Sequence, residues 1–122
     1  MENKLPPLGR HMLLELYQCP SEILNDETMV ERILTGVVAK VRATLVSSSF
    51  HHFSPYGISG VVVIAESHIT VHTWPEHNYA AIDVFTCDET IDYDLVEKTL
   101  VEDFRAASHE SKIIHRGELQ PA

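Results

Sequence analysis

The sequence has 122 residues, the size of one domain. Its formal net charge of −9 comes without any cluster of lysine and arginine, which argues against nucleic acid and anionic membranes as partners. No apolar run approaches the roughly 20 residues that cross a bilayer, and the first ten residues lack the apolar segment of a secretory signal. We therefore expect a cytoplasmic protein in which Cys19 and Cys87 stay reduced.

The first half of the chain predicts a strand followed by a helix. In "RHMLLELY" Met12, Leu14 and Leu16 alternate with more polar positions, the pattern of a half-buried strand. The segment "CPSEILNDET" reads as a connection in which Asn25 or Asp26 caps the following helix. Apolar residues at four-residue spacing then predict one stripe that faces a sheet: Met29, Ile33, Val37 and Val41, flanked by Val30, Leu34 and Val38.

The second half predicts strands and one more helix. "ATLVSSSFHHF" reads as a strand, "SPYGISG" as a turn, and residues 61–65, 69–74 and 80–86 as three strands with short joints. A helix is expected over 92–107, and "KIIHR" is a possible last short strand. The helix is expected to bury Leu95, Val96, Leu100 and Phe104.

The order of these elements predicts the architecture. The series β-α-β-β-β-β-α-β, with helices that are apolar on one side, indicates an α+β fold. We expect a two-layer α/β sandwich, an antiparallel sheet with two helices on one face. The other face of the sheet is then left to be covered, and a second copy of the chain is the obvious candidate.

One strand carries an unusual polar pattern. In "VVVIAESHITVHTW" His68, Thr70 and His72 share one face, which is most often the wet side of an antiparallel sheet. No metal is expected, because the two histidines lie about 13 Å apart along a strand whereas zinc needs both nitrogens at about 2.0–2.1 Å. The sequence also has no Cys-x-x-Cys or His-Glu-x-x-His pattern.

Ser67 stands at the joint before this strand, without the Gly-x-Ser-x-Gly elbow of a hydrolase. His72 is a candidate proton carrier, since histidine titrates nearest neutrality. Cys87 ends the neighbouring strand, where cysteine is more often a small buried apolar residue than a catalyst. Spacing alone therefore indicates a polar strand face with a possible Ser/His/Cys cluster.

A family resemblance extends this interpretation. The block "FHHFSPYGISGVVVIAESHITVHTWPEHNYAAIDVFTC", together with "LGRHMLLELYQC", resembles the small prokaryotic S-adenosylmethionine decarboxylases, which are pyruvoyl enzymes. "ESHITVHTWPE" combined with "FTC" is highly specific. The resemblance implies a single domain of that family's fold over residues 1–122 and a cytoplasmic homodimer.

The same resemblance implies a self-cleaving enzyme. The proenzyme would cut its backbone between Glu66 and Ser67 into a β chain of residues 1–66 and an α chain of residues 67–122. Ser67 would become a pyruvoyl group, which holds the substrate amine as a Schiff base. The product of decarboxylation would be S-adenosylmethioninamine, the aminopropyl donor for spermidine and other polyamines.

Five further residues take roles from the resemblance. His72 would carry a proton during processing, Ser59 would assist it, and Cys87 would protonate the decarboxylated product. Phe53 would stack on the adenine of the substrate, and Glu76 would accept both ribose hydroxyls. Two glycines, Gly57 and Gly60, lie on either side of Ser59 and suit a tight turn.

Two alternatives stay open at this point. A pyruvoyl decarboxylase of ornithine or arginine would keep self-cleavage but would have no use for adenine and ribose contacts. A non-catalytic binding or regulatory subunit would be expected to lose Ser67, His72 or Cys87, and all three are present. The chain departs from the family's usual glycine at Asn78 and Asp88, two residue types that tolerate left-handed turns.

Overall fold

The computed structural model describes residues 5–119, which form a six-stranded sheet and three helices. The strands are β1 (Gly9–Tyr17), β2 (Leu45–His52), β3 (Ile58–Ile64), β4 (Ser67–Trp74), β5 (Tyr79–Thr86) and β6 (Ser108–Arg116). The helices are α1 (Ser21–Leu24), α2 (Glu27–Lys40) and α3 (Tyr93–Asp103), and a 3₁₀ turn spans Pro75–His77. The predicted α+β class is confirmed.

All neighbouring strands of the sheet are antiparallel, in the order β2-β3-β4-β5-β1-β6. Strands β2 to β5 follow one another in sequence and in space. The first strand, β1, is inserted between β5 and the last strand, β6. The first and last strands are therefore neighbours in the sheet, and β2 and β6 are its edges.

The two longer helices begin where local chemistry predicts. The Asp26 carboxylate accepts a hydrogen bond from the Met29 amide at 3.1 Å, and Asp92 accepts one from the Leu95 amide at 3.1 Å. Each is an N-cap, which satisfies an amide that has no partner inside the helix. The predicted stripe of α2 is confirmed except at Met29, which is 38% exposed because it lies in the capped first turn, outside the buried stripe that starts at Val30.

Both helices pack on the same face of the sheet, as predicted. The buried side chains of β1 alternate as expected, with Met12, Leu14 and Leu16 in the core. Complete burial of one such side chain contributes about 1.5–3 kcal/mol. The core also holds Phe104, at the C-terminal end of α3, with no exposed surface.

Four boundaries differ from the prediction. The connection after β1 contains the single turn α1, and α3 ends at Asp103 because Arg105 takes a positive φ of 55° that redirects the chain. The last strand is longer than "KIIHR" because it pairs with β1 along nine residues. Ser59 and Gly60 lie inside β3 rather than in a turn.

Gly60 lies in a strand, and a side chain of the neighbouring strand occupies the space where its own side chain would stand. A Cβ at Gly60 would stand 2.1 Å from Cδ2 and 2.9 Å from Cγ of Phe50, on β2. The Phe50 ring thus lies directly over the glycine backbone. Only Gly57, buried and with a φ of +110°, has the turn conformation expected of this segment.

The face of the sheet opposite the helices is uncovered in the single chain. Exposed apolar side chains lie on this open face, among them Val63, Trp74 and Ile114, which are 37–40% accessible. Among residues 5–119, no helix has both the length and the apolar character required to cross a membrane.

Two glycine substitutions are expected to change stability in opposite directions. Gly60→Ala should lower the free energy of unfolding by about 1–3 kcal/mol, because the Phe50 ring has to move. Gly36→Ala is the matched control. Gly36 is exposed within α2, and a Cβ there meets nothing within 4 Å. This change should raise the free energy of unfolding by about 0.5–1 kcal/mol through helix propensity. Urea denaturation of both variants measures the difference, and equal effects would contradict the packing described for Gly60.

Candidate active site

The peptide bond between Glu66 and Ser67 lies in the tight joint between β3 and β4. Only Ala65 and Glu66 connect the two strands. Ser67 has a φ of +152°, a region that residues with a Cβ rarely occupy. Such backbone conformations cost on the order of 1–3 kcal/mol and cluster at functional sites. The joint is therefore strained at the residue whose hydroxyl is the candidate nucleophile.

The carbonyl of Glu66 receives two hydrogen bonds from Cys87. The backbone N–H of Cys87 donates to the Glu66 oxygen at 3.0 Å, and the thiol donates to the same oxygen at 3.3 Å. Donors fixed on a carbonyl oxygen stabilise the negative charge that develops there when a nucleophile attacks the carbon. The geometry is that of an oxyanion site around the bond expected to break.

The side chain of Glu66 is anchored as well. Its Oε1 accepts a hydrogen bond from the backbone N–H of Thr44 at 3.1 Å, and the Ala65 amide donates to the Thr44 carbonyl at 2.8 Å. Both contacts tie the joint to the segment before β2. Glu66 is thus held at its side chain and at its carbonyl.

A buried network fixes the strand end that carries Cys87. In the register between β4 and β5, Ser67 is opposite Thr86, the residue before Cys87. The hydroxyl of Thr86 lies 2.6 Å from that of Tyr93, which donates to the carbonyl of Arg10 at 2.9 Å. Since Thr86 and Tyr93 are both buried, this network sets the position of Cys87 relative to Glu66.

The second group of predicted residues lies at the opposite end of β4. Ser59 and His72 are directly opposite each other on β3 and β4, and the Ser59 hydroxyl lies 2.9 Å from Nδ1 of His72. His72 is exposed on the open face of the sheet. Phe53, which follows β2, is 47% exposed, and Glu76 is exposed in the 3₁₀ turn after β4.

The structure does not bring all the predicted site residues together within one chain. Ser67 and His72 are five steps apart along the extended strand, a distance of about 16 Å. One chain therefore presents two half-sites. We call Glu66, Ser67 and Cys87 the processing half-site, and Ser59, His72, Phe53 and Glu76 the recognition half-site.

The strand face between the half-sites carries a polar network. Asp83 accepts a hydrogen bond from the Thr70 hydroxyl at 3.2 Å, and its other oxygen lies 3.2 Å from Nε2 of His11. Nearby, the Tyr79 hydroxyl donates to Glu15 at 2.6 Å. Burial, with the Glu15 carboxylate beside the phenol, raises the pKa of Tyr79. The two carboxylates of the open face, Asp83 and Glu15, are therefore hydrogen-bonded within the chain.

Sequence reasoning missed the groups that hold Glu66, the Cys87 amide at its carbonyl and the Thr44 amide at its side chain. Both are backbone amides, and a backbone donor leaves no trace in residue type. Tyr93 and Thr86 were missed as well. Tyr93 is 83 residues from Arg10, whose carbonyl it binds, and the Thr86 and Tyr93 hydroxyls that meet belong to a strand and a helix seven residues apart. These contacts become visible only in the folded chain.

Comparisons with known proteins identify the class. The family model "S-adenosylmethionine decarboxylase" matches residues 10–117. The chain belongs to this family, and the match confirms the resemblance drawn from the motif.

Individual relatives agree with this assignment. An S-adenosylmethionine decarboxylase proenzyme of Thermodesulfovibrio yellowstonii is 54% identical over 97 residues, 80% of this chain and 72% of the relative. A proenzyme of the same name from Moorella thermoacetica is 48% identical over 114 residues, which cover 93% of this chain and 91% of the relative. The crystal structure of the adenosylmethionine decarboxylase from Aquifex aeolicus superposes with a TM-score of 0.88 at 31% identity, over 97% of this chain and 98% of that one.

The two cysteines are expected to differ sharply in reactivity. Burial raises the pKa of Cys19 to about 11, whereas Cys87 is exposed. Since the thiolate is the reactive form, iodoacetamide at about pH 8 should modify Cys87 and spare Cys19 in the folded protein. Peptide mass spectrometry before and after denaturation reads out both sites. Rapid modification of Cys19 in the folded protein would contradict its placement in the core.

Proposed function

We infer that this chain decarboxylates S-adenosylmethionine with a pyruvoyl group that it makes from Ser67. Family membership and the names of its relatives support the substrate. The single observation that supports the chemistry is the strained Glu66–Ser67 joint, whose carbonyl accepts two hydrogen bonds from Cys87. None of the reported relatives is named for ornithine or arginine, so that alternative is not carried further.

The first step of processing follows from the processing half-site. The Ser67 hydroxyl attacks the Glu66 carbonyl carbon, and the oxygen that becomes negative is the one facing the Cys87 N–H and thiol. The amide nitrogen of Ser67 leaves as an amine, so the backbone amide becomes an ester. Release of the strained φ at Ser67 favours this rearrangement.

The second step needs a base. Removal of the Cα proton of Ser67 expels the Glu66 carboxylate and ends the first fragment at residue 66. His72 is the assigned proton acceptor, and the Ser59 hydroxyl at 2.9 Å fixes the orientation of its ring. Water then replaces the nitrogen of the dehydrated residue, ammonia departs, and the second fragment begins with a pyruvoyl group.

The residues present fit this group and its substrate. When formed, the pyruvoyl group supplies an electrophilic carbonyl for the substrate amine and a conjugated sink for electrons. Cys87 holds a proton on a thiol at the same joint, suited to general acid work. Phe53 offers an exposed aromatic face to the adenine, and the Glu76 carboxylate offers two acceptors to the ribose hydroxyls.

The distance between the half-sites leads to a composite site. His72 lies about 16 Å from Ser67 in its own chain, too far to take a proton from it. A two-fold axis that runs beside the open face, parallel to the sheet and perpendicular to β4 at its middle, would stack a second copy on this face with its β4 reversed. The processing half-site of one chain would then face the recognition half-site of the other. We propose a homodimer that buries the open faces, with two such sites, in the cytoplasm.

Self-processing is tested with substitutions at Ser67 and His72. Ser67→Ala should stay one chain, because alanine has no hydroxyl to attack Glu66. His72→Ala should accumulate as the full-length amide or ester, and hydroxylamine should split the ester at Ser67. Ser111→Ala, an exposed serine of β6, is the matched control and should cleave like the unchanged protein. Denaturing electrophoresis and intact mass separate these species. A cleaved Ser67→Ala chain would contradict the mechanism.

Mixed assemblies test the composite site. Ser67→Ala and His72→Ala chains with different tags are co-expressed and purified through both tags. If the site is shared, the His72→Ala chain supplies Ser67 and its partner supplies His72, so only the His72→Ala chain should be cut. If each chain carries its own complete site, neither should be cut. The tag on the cleaved fragment distinguishes the two cases without any activity assay.

A further inference from the structure

Asn25 forms a link between the helical layer and the loop that carries Phe53. It follows α1 and is half-buried. Its side-chain oxygen lies 3.0 Å from the backbone nitrogen of Gly57 and 2.8 Å from Nε2 of His52. Because a backbone amide can only donate, the Asn25 atom in contact is the carbonyl oxygen. The same oxygen then requires His52 to donate from Nε2, which fixes the proton on that ring nitrogen.

The two donors bound the segment that contains Phe53. His52 is the last residue of β2, and Gly57 is the buried residue before β3. The loop closes on itself through a hydrogen bond from the Phe53 amide to the Gly57 carbonyl at 2.7 Å. The position of the Phe53 backbone is therefore determined by two loop ends that share one acceptor, the Asn25 oxygen.

The Phe53 ring itself receives little support from the core. It is 47% exposed, and its aromatic neighbour is His51, edge-on at a centroid distance of 4.5 Å. An exposed ring presents a fixed face only if its backbone is fixed. Leu24, the residue before Asn25, adds a second restraint on the start of β3. The buried Thr73 hydroxyl accepts a hydrogen bond from the Ile58 amide at 2.9 Å and donates one to the Leu24 carbonyl at 2.8 Å.

We propose that Asn25 is a positioning residue for substrate binding. It holds the loop of residues 53–57 so that Phe53 presents its ring to the adenine of S-adenosylmethionine. The proposal rests on the adenine role of Phe53 given above. Asn25 also lines a cleft of about 320 Å³ together with Tyr56 and Glu76, so the loop and the assigned ribose ligand border the same opening. The role belongs to binding alone, because Asn25 has no contact with the Glu66–Ser67 joint.

The test compares two substitutions of Asn25. Asn25→Ala removes the shared acceptor and leaves the part-buried Gly57 amide without its partner, whereas Asn25→Asp keeps an oxygen in the same place. In the processed enzyme, Asn25→Ala should raise the KM for S-adenosylmethionine about fivefold, because the loop loses both hydrogen bonds to this oxygen and no longer fixes the Phe53 ring. Its kcat should stay within about twofold, and cleavage at Glu66–Ser67 should be complete. Asn25→Asp should keep KM within about twofold of the unchanged enzyme.

A double-mutant cycle with Phe53→Ala shows whether Asn25 acts through the ring. If it does, Asn25→Ala should add no further increase in KM once Phe53 is absent. A fivefold increase that persists in the Phe53→Ala background would overturn the proposal. So would a parallel fall of kcat, cleaved fraction and Tm, which indicates a general structural role.

The cycle also separates this proposal from the function on which it rests. If Phe53→Ala raises KM and Asn25→Ala does not, the adenine role of Phe53 stands and the role of Asn25 is wrong. If Phe53→Ala leaves KM unchanged, the assignment of Phe53 is wrong, and the proposal for Asn25 falls with it. His52→Gln, which retains an N–H donor, provides a second variant that removes the imidazole but should keep KM within about twofold.

Discussion

The antiparallel register between β4 and β5 determines the chemistry available at the Glu66–Ser67 joint. Ser67 pairs with Thr86, and this pairing places the next residue, Cys87, against the Glu66 carbonyl. Side chains alternate between the two faces of a strand, so a slip of one residue would turn each of them to the opposite face. The buried contact between Thr86 and Tyr93 opposes such a slip, because each hydroxyl would lose its partner in the core. The geometry of the proposed processing half-site is thus a consequence of strand pairing rather than of a dedicated loop.

The polar network on the open face is compatible with burial between two copies. A buried carboxylate is costly unless its oxygens are hydrogen-bonded. Asp83 already accepts from Thr70 and pairs with His11, and Glu15 accepts from Tyr79. Their partners lie in the same chain, so these two carboxylates do not need new polar contacts from a second copy. The exposed apolar groups around the network, such as Trp74 and Ile114, would gain from contact.

The features that sequence predicted well depend on neighbours along the chain. The cap of α2 was predicted as Asn25 or Asp26, and the start of α3 near Asp92, because an N-cap bonds an amide three residues ahead; the caps are Asp26 and Asp92. The alternation of β1 was readable because one of its faces is buried. The start of β3 was not predicted correctly, since Gly60 lies in the strand beneath the Phe50 ring, which comes from β2. Strand β6 gave little signal because its side chains are exposed along its whole length.

The candidate site shows the same division between local and distant information. The motif identified Ser67, His72 and Cys87, but it could not show which of them meet. The spacing that excludes one zinc ion bound by both His68 and His72 also separates Ser67 from His72. This spacing shows that Ser67 and His72 cannot meet within one chain, but it does not show which residues complete each site. The backbone donors of Thr44 and Cys87, in contrast, depend on long-range pairing and have no sequence signature.

The order of strands gives cleavage a consequence for folding. A cut after Glu66 leaves β1, β2 and β3 in one fragment and β4, β5 and β6 in the other. In the sheet these strands interleave, so the fragments share the boundaries β3/β4, β5/β1 and β1/β6. Neither fragment contains a complete sheet, and neither can leave without breaking several ladders of backbone hydrogen bonds. Refolding of the cut protein would require two separate fragments to associate, a concentration-dependent step that the uncut chain, whose strands stay covalently connected, does not need. The proposed order of events would thus be folding first and cleavage second. The intact chain forms the sheet, and fragments separated after cleavage would have to associate to form it again.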